Sequence, residues 1–161
     1  MQNLRELYQE IILDHNKNPR NFHKMENATR EVEGRNPLCG YHYTIYLLMQ
    51  DGVVKDISFE GSGCAISKSS ASMMSSIVKG KKKDEIEKLF HLFHKVITGE
   101  INAAEHLEEL GKLAAFSGVA EYPVRVKCAI LPWHAMYSAL KGESTEVSTE
   151  EDKTIKKQDL I

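Results

Sequence analysis

Apolar residues near the start of the chain recur on one face of a helix. They stand at i, i+3, i+4, i+7 and i+8, which is the spacing of an amphipathic helix: Leu4, Leu7, Tyr8, Ile11 and Ile12. Asn3, with Glu6 three residues later, resembles a capping box, and Asn18-Pro19 is a stop signal. The pattern therefore predicts an opening helix that ends before Pro19.

The next stretch, residues 28–49, is rich in the β-branched and aromatic residues that favour strands. Asp51-Gly52 separates it from a second such run, Val53–Phe59, and an Asp-Gly pair between two strand-forming runs is a strong hairpin signal. Gly61-Ser62-Gly63 then ends the strand pattern. We expect an α+β fold in which a small antiparallel three-stranded sheet is packed with helices.

Helical periodicity returns after the glycines and continues to residue 141. Apolar spacing and terminal glycines predict helices over about 65–79 and 84–98, and a shorter one over 107–114. Proline is well tolerated only in the first turn of a helix, so Pro132 predicts that the last helix begins close to Cys128 and spans roughly Ala129 to Lys141. We expect one domain over residues 1–141 and a disordered charged tail over residues 142–161.

Length, charge and cysteine content narrow the class of protein. The 161 residues suit one domain, and a net charge of -2 gives no cationic field for nucleic acid or an anionic membrane. No apolar run is long enough to cross a bilayer, and the N-terminus lacks the pattern of a secretory signal. Three cysteines is an odd number, which in this setting indicates reduced thiols. We expect a cytoplasmic protein with neither nucleic-acid nor membrane partners.

The three cysteines stand at unusual places in the predicted elements. Cys39 lies in a Pro/Gly turn before a strand, and Cys64 and Cys128 are each predicted at a helix start, where the macrodipole favours a thiolate. Their spacing is not that of a zinc finger, so separate buried thiols remain one interpretation. The other is a single constellation, and three thiolates suit zinc or an iron–sulfur centre.

The residues around these cysteines resemble the three cysteine motifs of the IscU/SufU family of iron–sulfur cluster assembly proteins. The motifs are Asn36-Pro37-Leu38-Cys39-Gly40, Gly61-Ser62-Gly63-Cys64-Ala65-Ile66-Ser67 and Val126-Lys127-Cys128-Ala129. The likeness runs from about Leu4 to Leu140, so the resemblance implies an IscU/SufU-like domain with its cysteines clustered at one end. The long segment between Gly80 and Gly118, and Lys127 before the last cysteine, are similar to the zinc-dependent sulfurtransferase branch, SufU.

The resemblance also implies roles for the site residues. Cys39 would receive sulfur as a persulfide from a cysteine desulfurase, and Cys39, Cys64 and Cys128 would be ligands of zinc or of a transient [2Fe-2S] cluster. Arg125 and Lys127 would support the anionic site. Further partners would be downstream cluster assembly or acceptor proteins, and the activity would be that of a sulfurtransferase-type sulfur acceptor.

One position departs from the family pattern. Tyr41 stands where the motif carries an aspartate that acts as the fourth ligand, and a phenol is a poor zinc ligand at neutral pH. His42 could replace it only outside a strand, because adjacent strand residues face opposite sides. Tyr41, His42, water or a partner's residue therefore remain open as the fourth ligand. Two alternatives also remain: a scaffold for a nascent [2Fe-2S] cluster, and a desulfurase-binding protein whose metal site is impaired by Tyr41.

Overall fold

The computed structural model describes residues 4–36 and 41–142, together with the backbone of residues 146–148. Over this part of the chain it has five helices and four strands: α1 Leu4–Lys17, β1 Arg30–Asn36, β2 Tyr41–Gln50, β3 Val53–Ser62, α2 Ala65–Val78, α3 Lys83–Ile97, α4 Leu107–Leu110, α5 Pro123–Lys141 and β4 Glu146–Ser148. Two 3₁₀ segments, Ala103–Glu105 and Gly111–Glu121, lie between α3 and α5. The predicted helix over 107–114 is therefore a short α-helix that continues as 3₁₀.

Strands β1, β2 and β3 form the predicted antiparallel sheet. Asp51 and Gly52 both have positive φ, 53° and 77°, as the tight turn between two twisted strands requires. The turn pairs Gln50 with Val53, and an irregularity between Leu48 and Met49 then shifts the register by one residue, so that Tyr43 pairs with Gly61. The α+β class and the antiparallel three-stranded sheet are confirmed.

A fourth strand extends the sheet at the edge of β1. Backbone residues Glu146–Ser148 pair in parallel with β1, so the strand order is β3-β2-β1-β4. The open edge of β1 offers unpaired N–H and C=O groups that a passing segment can satisfy, whatever its side chains. These three residues are thus ordered on the sheet. The remainder of the tail prediction falls on residues 143–145 and 149–161, which lie outside the described residues.

The helices cover one side of the sheet in layers. Helix α5 lies across β1 and β2, α2 packs against α5 and β3, and α1 packs against α2. Gly34 of β1 permits the crossing, because a Cβ there would meet the Cβ of Ala135 at 3.0 Å. Trp133, Phe59 and Phe93 are among the largest fully buried side chains. None of the described helices is both long and apolar enough to span a membrane.

The prediction that the last helix begins close to Cys128 was wrong. Helix α5 begins at Pro123, which occupies the first turn, and Pro132 lies inside the helix. Pro132 has no N–H, so the carbonyl of Cys128, four residues earlier, loses its helical donor. The following carbonyl, that of Ala129, accepts a buried hydrogen bond of 2.6 Å from Ser70 Oγ of α2. Tertiary contacts of this kind make an interior proline tolerable, and Cys128 lies within the helix.

Candidate functional site

Cys64 caps the N-terminus of α2. Its backbone is extended, and its sulfur accepts a hydrogen bond of 3.4 Å from the N–H of Ser67, the third residue of the helix. This is the position where unpaired N–H groups and the helix dipole stabilise negative charge. Cys64 is partly exposed. The predicted placement of this cysteine at a helix start is confirmed.

Cys128 reaches the same place from a different element. It lies five residues after Pro123 in α5 and is only 2% exposed. Because α2 and α5 pack together, its thiol comes within hydrogen-bonding distance of the Cys64 sulfur. Two cysteines separated by 64 positions in the sequence are therefore side by side, one reached by solvent and one sealed beneath it.

Tyr41 closes the space between the two sulfurs. It is the first residue of β2, faces the core and is 8% exposed. Its hydroxyl forms a short hydrogen bond with the Cys128 sulfur and lies within hydrogen-bonding reach of Cys64. Burial, followed by the contacts with both sulfurs, raises the pKa of Tyr41 far above the ordinary phenol value. The phenol is therefore neutral, and in its bond with the Cys128 sulfur either atom can be the donor.

The environment of Cys64 favours its thiolate. The hydrogen bond with Cys128 is the largest of the effects that lower the pKa of Cys64 to about 5, and the bonds from Tyr41 and Ser67 lower it further. Partial burial acts in the opposite direction and is outweighed. A thiolate is both the nucleophilic form of cysteine and the form that binds soft metals. The pocket can therefore support sulfur chemistry or metal coordination.

Tyr43 and Ser67 form the wall behind Cys64, and neither was among the predicted site residues. Tyr43 is fully buried, its hydroxyl lies 3.0 Å from Ser67 Oγ, and burial raises its pKa to about 12. Gly63 passes so close that a Cβ there would lie 2.5 Å from the Tyr43 hydroxyl. Two sequence signals could have predicted these residues. Tyr43 is two residues after Tyr41 and therefore shares its face of the strand, and Ser67 is three residues after Cys64, where an N-cap side chain finds its hydrogen-bond donor.

The remaining predicted residues are distributed differently. His42 is exposed on the opposite face of β2 from Tyr41, with Nε2 3.5 Å from Oε2 of Glu33. Arg125 is exposed, with its guanidinium 4.6 Å from the centre of the Tyr122 ring, and Lys127 is half-buried next to Cys128. Cys39 lies outside the described residues. Within residues 4–36 and 41–142, no three His, Cys, Asp or Glu side chains converge as metal ligands.

Comparison with known proteins identifies the family of this chain. Residues 7–129 match the NifU-like N-terminal domain. The chain belongs to this family. The iron–sulfur cluster assembly scaffold protein IscU of Thermotoga maritima is 42% identical over 84% of this chain and 93% of its own length. The zinc-dependent sulfurtransferase SufU of Bacillus subtilis is 36% identical over 88% and 94%.

A solved structure also resembles this NifU-like domain. The crystal structure of a hypothetical protein has a TM-score of 0.78 and 36% identity, covering 86% of this chain and 99% of that one. Relatives that carry the names IscU and SufU both match over most of the NifU-like chain, so the resemblance carried by the three cysteine motifs is confirmed.

Among the described residues, the adjacent sulfurs of Cys64 and Cys128 suit two positions of a tetrahedral zinc site. The fourth position is different, because the group that lies against both sulfurs is the Tyr41 phenol. Zinc sites are built from Cys, His, Asp and Glu ligands, so the phenol does not fit the fourth position.

Proposed function

We propose that this NifU-like domain accepts sulfur from a cysteine desulfurase during iron–sulfur cluster assembly, with Cys39 as the acceptor. The main support is the juxtaposition of Cys64 and Cys128 against Tyr41, because Cys39 precedes Tyr41 by only two residues. Two residues of chain span at most about 7 Å, so covalent connectivity limits how far Cys39 can lie from the pair. The names of the relatives, a scaffold protein and a sulfurtransferase, agree with this chemistry.

The transfer is a thiol–persulfide exchange. The Cys39 thiolate attacks the outer sulfur of the desulfurase persulfide and forms a new S–S bond. The original S–S bond breaks, and its electron pair leaves with the sulfur of the desulfurase cysteine. No external oxidant or reductant is needed, because one S–S bond replaces another.

Accessibility argues against Cys128 as the acceptor. Its sulfur is almost fully buried behind Cys64 and Tyr41, so a partner's persulfide cannot reach it without opening the pocket. Cys64 is partly exposed, but its sulfur is held by the N–H of Ser67 as the cap of α2. These two cysteines are thus suited to hold a metal or to support a neighbouring sulfur, and the acceptor role of Cys39 comes from the resemblance of its motif to the IscU/SufU family.

We assign Cys39, Cys64 and Cys128 as the residues that would hold zinc. Zinc lowers the pKa of a coordinated thiol, so zinc held at these positions would favour the thiolate form of the cysteines. Lys127, beside Cys128, and Arg125 nearby on α5 would add positive charge at the entrance. The reaction is placed in the cytoplasm, where free thiols persist.

The second candidate is a scaffold that holds a nascent [2Fe-2S] cluster on the same three cysteines, passing it to downstream acceptor proteins. The adjacency of Cys64 and Cys128 favours it, since one iron atom can be bound by both sulfurs. Anaerobic incubation with iron, cysteine and desulfurase would give stoichiometric iron, labile sulfide and visible absorbance if the scaffold proposal is correct. Sulfur transfer alone gives a persulfide mass without that absorbance.

Intact-mass spectrometry tests the main proposal. The protein is incubated with a cysteine desulfurase and cysteine, and a gain of one sulfur atom is expected. Cys39→Ser should abolish the gain, whereas Ser76→Ala, an exposed position outside the pocket, should retain it. A gain that survives Cys39→Ser and disappears in Cys64→Ser would assign the acceptor to Cys64 and contradict the proposal. Complex formation without any gain would instead support a protein that only binds the desulfurase.

A further inference from the structure

Tyr41 connects the two described sulfurs through one hydroxyl group. The ring is inserted at the start of β2, buried between the sheet and the helices that carry Cys64 and Cys128. Its oxygen bonds the Cys128 sulfur and reaches that of Cys64. A single side chain therefore links the N-terminus of α2 to the second turn of α5.

The same hydroxyl occupies space that a metal between the sulfurs would need. A zinc ion binds sulfur at about 2.3 Å, so an ion shared by Cys64 and Cys128 would have to displace the hydroxyl from the Cys128 sulfur. The displaced phenol would remain buried, since Tyr41 is 8% exposed and its neighbour Tyr43 is fully enclosed. A buried hydroxyl that loses its partner has an energetic cost, and that cost opposes metal binding.

We propose that Tyr41 is a positioning residue that holds Cys64 and Cys128 together in the absence of metal and thereby weakens the affinity of the site for zinc. The inference rests on the proposed three-cysteine site. In this arrangement a hydrogen bond holds the pocket together, whereas in a zinc-dependent protein the bound ion does so. Sulfur acceptance by this chain would therefore not require zinc.

Zinc affinity, measured by competition with a chromophoric chelator, provides the first test. Tyr41→Asp supplies a usual zinc ligand in place of the phenol and should bind zinc at least about tenfold more tightly than the unaltered protein. Tyr41→Phe keeps the ring but removes the competing hydroxyl, and its affinity should exceed that of the unaltered protein. His42→Asp is the matched control, because it introduces the same carboxylate one residue later on the exposed face. Its affinity should not change.

Two results would overturn the inference. Weaker zinc binding by Tyr41→Phe would show that the phenol is itself a ligand. Equal affinity of the unaltered protein and Tyr41→Asp would show that Tyr41 does not limit metal binding.

Thermal unfolding with and without zinc provides a second readout that does not depend on activity. In chelator, Tyr41→Phe should melt about 3 °C below the unaltered protein, because the hydrogen bond to sulfur is lost. Added zinc should raise the melting temperature of Tyr41→Asp more than that of the unaltered protein. A large loss of stability of the unaltered protein in chelator would contradict a metal-free organised site.

These measurements need no desulfurase, so they separate this inference from the proposed function. If sulfur transfer fails while the zinc affinities follow the expected order, Tyr41 still has the inferred role and the proposed function is wrong. If sulfur transfer succeeds while the affinities are equal, the proposed function stands and the role of Tyr41 is wrong.

Discussion

Helix α2 has two polar regions that use buried groups in different ways. At its N-terminus, Cys64 and Ser67 belong to the sulfur pocket, which we define as Tyr41, Tyr43, Cys64, Ser67 and Cys128. Farther along, Ser70, Ser72 and Ser75 form what we call the serine layer, which joins α2 to its neighbours. All three serines are fully buried.

Every serine of the layer has a partner within the protein. Ser72 Oγ lies 2.7 Å from His15 Nδ1 and accepts a bond of 2.9 Å from the N–H of Arg20. Ser75 Oγ bonds backbone carbonyls, and Ser70 Oγ donates to the carbonyl of Ala129. In the sulfur pocket, by contrast, the Cys64 thiolate is partly exposed and can meet a molecule from outside. Buried polar groups that are bonded within the protein position the helices. Polar groups that are open to solvent remain available for chemistry.

The largest effect is expected at the base of the sulfur pocket, from Gly61→Ala. Gly61 has φ of 136°, and a Cβ there would lie 2.1 Å from the carbonyl oxygen of His42 on the paired strand. Because backbone would have to move, we expect a loss of about 3 kcal/mol or more in the free energy of unfolding, measured in urea. Gly80→Ala is the control, with φ of 86° and open space around it, and should cost about 1 kcal/mol. Equal losses would contradict this account.

The serine layer should make the fold sensitive to acid through His15. This histidine is 4% exposed, and burial, aided by the charge of Arg20, lowers its pKa from 6.5 to about 4. The folded state therefore disfavours the imidazolium, so the stability that neutral His15 confers is present above pH 6.5 and is lost as the pH falls through about 4. Relative to His15→Asn, the unaltered protein should lose about 2–3 kcal/mol more between neutral pH and pH 4. Parallel pH profiles for the two proteins would exclude this role.

Smaller effects on stability and on the alkylation rate should distinguish the serine layer from the sulfur pocket. Ser72→Ala leaves His15 without its buried partner and should cost about 1–2 kcal/mol, without changing the alkylation rate of Cys64. Ser67→Ala should slow alkylation of Cys64 at about pH 5, where thiol and thiolate coexist, because it removes a bond that lowers the pKa of that thiol. Peptide mass spectrometry reports the rate at Cys64 alone. Exposed Ser76→Ala should leave both quantities nearly unchanged. The opposite pattern, with only Ser72→Ala slowing alkylation, would remove the distinction between the regions.

Much of the fold could be predicted because its signals are local. The Asp51-Gly52 turn, the strand residues around it and the glycines before Cys64 act through neighbouring residues, and the structure has the elements they indicate. Pro132 misled the prediction because a proline inside a helix depends on what packs beside it. A distant serine, Ser70, bonds the neighbouring carbonyl. The same holds for strand β4, which pairs through its backbone and carries no distinctive side-chain pattern.

The candidate site was predictable only in part, for the same reason. The sequence indicated Cys64 at a helix start and marked Tyr41 as the unusual residue, whereas the contact of Tyr41 with Cys128 joins residues 87 positions apart. No local pattern gives such a distance. The sequence likewise does not distinguish the serines of α2 from one another. Only their hydrogen-bond partners show which serine belongs to the sulfur pocket and which to the serine layer.

The convergence of all three sulfurs is the central claim, and bridging of thiol pairs tests it directly. Cys39→Ser, Cys64→Ser and Cys128→Ser each leave two thiols, and each variant is treated with a bifunctional alkylating reagent that spans only adjacent sulfurs. Our account predicts an intramolecular bridge in all three variants, located by peptide mapping and formed more slowly where it includes the buried Cys128, which reacts only as the pocket opens. A bridge between Cys64 and Cys128 alone, with none to Cys39 in either of the other two variants, would contradict it.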